Sequence, residues 1–204
     1  MISDTNIEVL IMAAGESKRM QGIKQLLPWK NSNLLLETIK TAKKTTMGSV
    51  LVVLGANAEH ITDECNFKAS NVDYVINPTW HLGLGNSIAF GIKYLCKKEE
   101  LPQGILICLA DQPLITTDYL NVLAETFKQN PKNIIATNYT RKTGVPALFP
   151  SKFYKALFQL KDDYGAKELL KKYTKETIGI NAGNKILDID TKQEYEQLTI
   201  DTDH

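Results

Sequence analysis

Short, largely apolar runs alternate with amphipathic segments along the first half of the chain. Runs with strand character occupy residues 9–13, 50–54, 72–76 and 105–109. Segments with helical periodicity lie between them, at residues 34–44, 58–65 and 86–97. In the last of these, Ile88, Ile92 and Leu95 recur at the spacing that gives a helix one apolar face. Short strands that are apolar throughout and separated by helices are typical of a parallel sheet that helices cover on both faces.

The second half of the chain carries shorter and less regular patterns. We expect a helix at residues 119–128, with Thr116 as its N-cap. Strands are predicted at residues 134–137, 147–149 and 186–189, a turn near residues 141–144, and helices around residues 151–160 and 164–172. No linker-like stretch divides the sequence, so the pattern predicts one α/β domain over residues 1–204, Rossmann-like with a mostly parallel central sheet.

Charge and cysteine content narrow the class of partner and the compartment. The formal net charge is +1, whereas nucleic-acid-binding proteins usually carry a basic excess. No apolar run approaches the roughly 20 residues that cross a bilayer, and the N-terminal sequence lacks a signal-peptide pattern. The cysteines share no close metal-ligand spacing, and Cys108 is expected to be a buried core thiol. We therefore expect a cytoplasmic protein that binds neither nucleic acid nor membrane.

The loop after the first predicted strand has the composition of an anion-binding turn. Ala13, Ala14 and Gly15 are small enough for a ligand to approach the backbone closely, and Gly15 also tolerates a positive φ. Successive N–H groups in such a turn attract anions. Arg19 offers a forked donor for phosphate oxygens, and Lys24 adds a point charge. The alternative is an ordinary turn with two solvated cations, because the loop matches neither the Walker pattern nor the dinucleotide-binding glycine pattern.

Two glycines, Gly83 and Gly85, follow the third predicted strand and open a helix. They permit a close backbone approach, and Asn86 or Ser87 is suited to cap the helix N-terminus. The alternative is simple helix entry. His81 is expected at the rim of the loop, because no second His or Cys lies at metal-ligand spacing.

Acidic residues mark the ends of two strand-like runs. Asp111 ends an apolar strand, where a carboxylate must be solvated, hydrogen-bonded or metal-bound, and its hard oxygens suit Mg²⁺. The alternative is a turn-forming role. Asp188 and Asp190 are predicted on one side of the last strand. The alternative is a helix N-cap at Asp190 or Thr191, with Glu194 completing a capping box from Thr191; the two interpretations are compatible if Thr191 caps the helix while Asp190 reaches a metal. Because ligands bind at the carboxyl ends of strands in open α/β sheets, these segments should share one crevice.

The first loop resembles the signature of the nucleotidyltransferase superfamily with a GT-A-like fold, through the pattern LIMAAGxSxRMxxxKxLLP at residues 10–28. Within that superfamily the chain is most similar to the molybdenum cofactor cytidylyltransferases, whose ADQP and DIDT segments have counterparts at residues 110–113 and 188–191. The resemblance implies that Arg19, Lys24 and Asp111 are catalytic. It also implies an NTP site formed by Ala13, Ala14, Gly15, Arg19, Lys24, Gly83, Gly85 and Ser87, and an Mg²⁺ site formed by Asp111 and Asp190.

Two later segments resemble the family on its acceptor side. They imply acceptor-binding roles for Gly144, Pro146, Asp163 and Gly165. The chain departs from the family pattern at four places, with Gln21 for Gly in the first loop, Val145 for His, Asp162 for Gly and Lys167 for Arg. The first departure alters the tip of the loop, and the others fall where the acceptor is recognised.

The resemblance implies a nucleotide-binding half at about residues 6–130 and an acceptor-binding half at about residues 131–198. The implied reaction is Mg²⁺-dependent transfer of CMP from CTP, or of another nucleotide from its NTP, to a molybdopterin-type molybdenum cofactor. Transfer to a sugar phosphate or another phosphorylated alcohol is an alternative. A third hypothesis is a non-catalytic protein that delivers the cofactor to a molybdenum hydroxylase.

Overall fold

A seven-stranded sheet forms the centre of the protein. The structure is a computed structural model that describes residues 5–20, 22–139, 142–161, 163–183 and 186–202. Its strands are β1 (Ile7–Ala13), β2 (Pro28–Trp29), β3 (Ser32–Asn33), β4 (Val50–Leu54), β5 (Asp73–Ile76), β6 (Gly104–Leu109), β7 (Ile134–Tyr139), β8 (Lys142–Pro150) and β9 (Thr177–Asn181). Its helices are α1 (Leu34–Lys43), α2 (Ala58–Cys65), α3 (Leu84–Leu95), α4 (Thr117–Gln129), α5 (Tyr154–Leu157), α6 (Lys167–Lys172) and α7 (Lys192–Thr202).

The sheet has the strand order β5-β4-β1-β6-β8-β7-β9. The pairings among β5, β4, β1 and β6 are parallel, as is the pairing of β7 with β9. Only β8 runs antiparallel to its neighbours, β6 and β7. The small β2–β3 hairpin stands apart from the sheet. This confirms the predicted α/β fold with a mostly parallel sheet.

The two faces of the sheet carry separate apolar cores. Val9 and Ile11 of β1 point to one face, where they pack with buried residues of α1, α2 and α4. Leu10 and Met12 point to the other, where they pack with buried residues of α3, α5 and α6. Alternate side chains of a strand point to opposite faces, so a strand with helices on both sides is apolar at nearly every position. The exception in β1 is buried Glu8, which pairs with Lys98. Burial on both faces accounts for the apolar runs in the sequence.

A third, smaller core ties the C-terminal helix to the segment after β1. It contains Met20, Trp29, Leu34, Ile189 and Leu198. Helix α7 therefore packs beside the loop that carries the predicted phosphate-binding cations.

The prediction of a strand at residues 186–189 is wrong. The described residues 186–190 have no regular secondary structure, and the edge strand is β9 instead, paired with β7. Residues 142–144, predicted in a turn, belong to β8, while residue 141 lies outside the described residues. Helix α3 begins at Leu84, before the predicted start. Thr116 caps α4 as predicted, since its hydroxyl accepts a hydrogen bond from Tyr119 N.

Cys108 is buried, and burial raises the pKa of its thiol to about 12. Across the described ranges, no helix is both long and apolar enough to span a bilayer.

Candidate active site

A cavity of about 410 Å³ opens where β1 and β6 end. Ligand sites of open α/β sheets lie at the carboxyl ends of the strands. The cavity brings together ten of the residues singled out from the sequence: Ala13, Ala14, Gly15, Arg19, Lys24, Gly83, Ser87, Asp111, Asp163 and Asp190. Segments far apart in the chain thus meet in one crevice.

The first loop reaches this cavity directly from β1. Ser17, rather than Gly15, takes a positive φ, of 61°, so backbone freedom is not the reason for glycine at position 15. A Cβ added at Gly15 would have no neighbour within 4 Å. Gly15 lines the open side of the cavity, where a side chain would meet a ligand before it met the protein.

Buried Gln25 holds this loop in place. Its Nε2 donates hydrogen bonds to the carbonyls of Ala13 (2.9 Å) and Gly15 (3.0 Å). Its Oε1 accepts a bond of 3.3 Å from the Ser17 hydroxyl. The adjacent Lys24 lies in the same 3₁₀ turn, Lys24–Leu26. The loop backbone and the Lys24 cation are therefore positioned by a single short segment.

Two cations and two carboxylates form the charged wall of the cavity. Lys24 Nζ lies 2.7 Å from Asp111 Oδ2 and 3.4 Å from Asp190 Oδ1. Arg19 approaches the other oxygen of Asp190 at 3.1 Å. The Lys24 side chain is only 15% exposed, whereas that of Arg19 is 67% exposed. Lys24 thus belongs to a partly buried ion-pair cluster, while Arg19 remains available to an incoming anion.

Asp188 and Asp190 point to different partners, contrary to the prediction that one strand aligns them. Asp188 Oδ1 accepts a hydrogen bond of 2.7 Å from Gln112 Nε2. The pKa of Asp188 is raised, first by desolvation and then by the nearby charges of Asp111 and Asp190. Glu194 and Thr191 form the predicted capping box, since Thr191 N donates to Glu194 Oε2 (2.8 Å) and Glu194 N donates to Thr191 Oγ1 (3.2 Å).

The carboxylate pair fits a divalent cation. Asp111 Oδ1 is buried and has no hydrogen-bond partner among the described residues, and an unpaired buried carboxylate oxygen is costly unless a cation satisfies it. Within the described ranges, no group of three or more His, Cys, Asp or Glu side chains is arranged to hold a metal by itself. Mg²⁺ commonly takes one or two carboxylates and completes its shell with substrate phosphates and water.

The start of α3 forms the opposite wall. Gly83 precedes the helix with a φ of 102°, whereas Gly85 is buried within the helix and does not line the cavity. Neither Asn86 nor Ser87 is the N-cap, which corrects the prediction. Instead, Asn77 Nδ2 donates to Asn86 Oδ1 (2.9 Å) and Ser87 Oγ (3.1 Å), which ties the helix to the end of β5.

A second cavity, of about 160 Å³, shares Leu84 and Leu109 with the first. Its wall is largely apolar, with Tyr139 and Tyr164 beside Lys142 and Lys167. Gly144 lines this second cavity, as expected for an acceptor-binding residue, but Asp163 lines the first cavity instead.

Gly165 and Pro146 line neither of these two cavities. Gly165 takes a φ of 57°, and a Cβ there would come within 2.8 Å of the Leu84 side chain. The Pro146 carbonyl accepts a bond of 2.7 Å from the Thr137 hydroxyl. The substitutions at Gln21 and Asp162 lie outside the described residues.

The sequence patterns missed three residues that shape the site: Gln25, Trp80 and Gln112. Trp80 and His81 both line the first cavity. Gln112 Nε2 bonds the Tyr139 hydroxyl, the Val145 carbonyl and Asp188. The sequence offers one clue to Gln25 and Gln112, since each adjoins a charged residue already singled out, Lys24 or Asp111.

Comparison of the sequence with known protein families identifies the family to which the chain belongs. The model described as "MobA-like NTP transferase domain" matches residues 9–177. Purine catabolism protein PucB of Bacillus subtilis (strain 168) is 30% identical over 207 residues, covering 93% of this chain and 94% of that protein. Nicotine blue oxidoreductase of Paenarthrobacter nicotinovorans is 32% identical over 105 residues, about half of each chain (51% and 48%).

A solved structure shares the fold over nearly the whole chain. The crystal structure of Rv0371c from Mycobacterium tuberculosis H37Rv has a TM-score of 0.81 at 24% identity, covering 95% of this chain and 97% of that one. The same mycobacterial protein is also known as a complex with manganese.

Proposed function

Because this chain belongs to the MobA-like NTP transferase family and is a nucleotidyltransferase, we propose that it transfers CMP from CTP to a molybdopterin-type molybdenum cofactor and releases pyrophosphate. One observation carries the proposal: two cations and two carboxylates, from segments far apart in the sequence, converge on one cavity beside a loop of small residues. That combination suits a triphosphate together with a divalent cation.

Within this proposal, Arg19 and Lys24 bind the triphosphate, with Arg19 as the exposed first contact. Gly15 lets the phosphates approach the backbone, and Gln25 keeps the Ala13 and Gly15 carbonyls directed away from them. Ala14 contributes a Cβ to the same cavity, and this methyl group favours the smaller cytosine over a purine.

Asp111 and Asp190 would hold Mg²⁺, and the unpartnered Asp111 Oδ1 supports that assignment. Rv0371c, which shares this fold, is known as a complex with manganese, and this observation supports the assignment of a divalent cation. When bound, the cation would neutralise the negative charge that develops on the α-phosphate.

The chain's own residues then act by position. The acceptor phosphate, held near the second cavity, attacks the α-phosphorus in line, a new P–O bond forms, and the bond to pyrophosphate breaks. Arg19 and Lys24 neutralise the leaving pyrophosphate. A phosphate acceptor is already ionised at neutral pH, so the reaction requires no side chain as a general base.

The second cavity supports a flat, anionic acceptor. Its wall is mainly apolar with two tyrosines, and the cations Lys142 and Lys167 outnumber its one carboxylate, Asp188. A sugar phosphate would instead need polar partners for its hydroxyl groups. The third hypothesis, a delivery protein, does not call for a triphosphate site or paired carboxylates.

The decisive experiment incubates the purified protein with Mg²⁺ and each NTP in turn, in parallel series with molybdenum cofactor and with a sugar phosphate as acceptor. Pyrophosphate release is measured, and the product is identified by mass spectrometry. The proposal expects the cytosine dinucleotide with CTP. Turnover only with a sugar phosphate would support the alternative acceptor, and cofactor binding without pyrophosphate release would support the delivery protein.

A further inference from the structure

Lys24 occupies the space between the two carboxylates to which the metal is assigned. Its ammonium lies 2.7 Å from Asp111 Oδ2 and 3.4 Å from Asp190 Oδ1. These two carboxylates would otherwise face each other without a charge between them, and like charges at close range repel. The Lys24 ammonium therefore supplies positive charge at the place where the sequence predicts a divalent cation.

We propose that Lys24 and the divalent cation alternate between these carboxylates, so that Lys24 keeps the metal site closed until a nucleotide arrives. The inference rests on the metal assignment in the proposed function. It adds an order of events: the nucleotide draws Lys24 away, and the metal enters with the nucleotide rather than before it.

Electrostatics makes the two positions exclusive. With Lys24 paired to Asp111, a divalent cation on the same carboxylate would lie within a few ångströms of the ammonium, in a part of the site that is largely shielded from water. Repulsion between the two cations is weakly screened there. The protein alone should therefore bind a divalent ion poorly.

A bound triphosphate changes the balance for Lys24. Its negative charges give the ammonium a stronger partner than either carboxylate, and the flexible four-carbon stem of lysine permits the movement. Gln25 keeps the backbone of this turn fixed by its bonds to Ala13 and Gly15, so the movement is confined to the Lys24 side chain. Asp111 is then free to bind the metal, and Asp190 becomes free as the exposed Arg19, 3.1 Å from its other oxygen, also turns to the phosphates.

The test measures Mn²⁺ binding to the full chain without nucleotide, by electron paramagnetic resonance of free Mn²⁺. Lys24→Gln should tighten binding about tenfold or more, the worth of one charge-assisted contact. Lys24→Arg keeps a cation and should bind as weakly as the wild type. Arg19→Gln is the matched control, because it also removes a positive charge beside a carboxylate, Asp190, but at an exposed position. Its gain in Mn²⁺ affinity should be no more than about threefold, as for a surface ion pair.

Equal Mn²⁺ affinity in the wild type and Lys24→Gln would overturn the inference, as would equal gains in Lys24→Gln and Arg19→Gln. Circular dichroism establishes that each variant is folded. A second series with a non-hydrolysable CTP analogue tests the proposed function separately. Beyond the Mn²⁺ that the analogue binds without protein, the wild type should bind Mn²⁺ tightly and Asp111→Asn should not. Tight additional binding by Asp111→Asn would refute the metal assignment itself.

Discussion

The backbone N–H of Ile189 donates a hydrogen bond of 3.0 Å to the carbonyl of Asp111, which joins the C-terminal segment to the end of β6. The next residue, Asp190, is thereby held beside the Lys24–Asp111 ion pair. Ile189 itself is buried in the small core with Met20. This backbone bond and the burial of Ile189 thus complete a carboxylate pair whose members, Asp111 and Asp190, lie far apart in the sequence.

Glu194 fixes the position of Asp190 from the other side, through bonds of 2.8 Å from the backbone N–H groups of Asp190 and Thr191. We predict that Glu194→Ala lowers stability by about 0.5–2 kcal/mol, as for loss of a helix cap, and weakens Mn²⁺ binding in the presence of nucleotide. Glu196→Ala, on the same helix, is the control. Urea unfolding measures the stability, and Mn²⁺ titration measures the metal affinity. An unchanged Mn²⁺ affinity would show that Glu194 does not position Asp190 for metal binding.

The same cap predicts a pH dependence. Backbone hydrogen bonds, that of Asp190 first, hold the pKa of Glu194 below its ordinary value. A carboxylate with a lowered folded-state pKa stabilises the fold above its unfolded-state pKa, and this contribution disappears as the pH falls through the folded-state pKa. The stability difference between wild type and Glu194→Ala should therefore be largest near neutral pH and vanish in acid.

Gln25 is predicted to control nucleotide binding through the loop. Gln25→Ala leaves the buried Ala13 carbonyl without its donor, at a cost of about 1–3 kcal/mol, and should reduce CTP affinity by loosening the phosphate-binding backbone. The exposed Gln129→Ala is the matched control. Thermal unfolding and calorimetry give the two readouts; a loss of stability with unaltered CTP affinity would limit Gln25 to a structural role.

The strands and the crevice could be predicted from sequence because burial on both faces of a sheet imposes a strong pattern. The runs in β4 and β6 are apolar at nearly every position, and a charged residue directly after β6, Asp111, was informative for that reason. Edge strand β9 carries no such constraint. Its side chains are partly exposed, so TIGIN lacked the apolar continuity by which the inner strands were recognised.

The remaining differences have the same physical origin, namely long-range contacts. Residues 186–189 are mostly apolar, as in a strand, but Ile189 is buried in the small core and Asp188 bonds Gln112. Lys24 is paired with carboxylates that are distant in the sequence, so its partial burial has no local signal. The division into nucleotide-binding and acceptor-binding halves stays a prediction.

Ala14 is predicted to set the preference for CTP. It is buried at the wall of the nucleotide-sized cavity, and Ala14→Gly removes one methyl group from the space beside the base. The ratio of kcat/KM for CTP to that for GTP should fall by about tenfold, the usual worth of a methyl group in a pocket. Ala182→Gly, at a buried alanine away from the cavity, should leave the ratio unchanged. A wild-type protein that does not distinguish CTP from GTP would contradict this prediction.

Gly15 provides a test of close approach by the ligand. Because a Cβ at this position meets nothing within 4 Å, Gly15→Ala should fold with normal stability yet bind CTP more weakly. Gly22→Ala, which also meets nothing within 4 Å but lies outside the cavity lining, is the control. Calorimetric titration with CTP compares the two variants, and equal affinities would show that the triphosphate does not contact this part of the loop.

The carboxylates provide the most direct test of the mechanism. Asp111→Asn keeps the size of the side chain and one oxygen but loses the charge, so the defect reports electrostatics rather than packing. We expect kcat to fall about a hundredfold or more, since a divalent cation supplies several kcal/mol of charge stabilisation in the transition state. The affinity for CTP measured without a divalent cation should fall much less, because Asp111 is proposed to act on the nucleotide through the metal.

Asp190→Asn should also reduce kcat severely, whereas Asp73→Asn, on the exposed edge strand β5, should have no effect. The assays use saturating Mg²⁺, so that weaker metal binding does not mimic slower chemistry. A near-normal kcat in Asp111→Asn would contradict the assignment of Asp111 as a metal ligand and, with it, the proposed mechanism. If only Asp190→Asn were active, Asp190 would be assigned to holding Lys24 and Arg19 in place, and Asp188, whose carboxylate lies close enough to Asp111 and Asp190 to be affected by their charges, would become the second metal ligand to test.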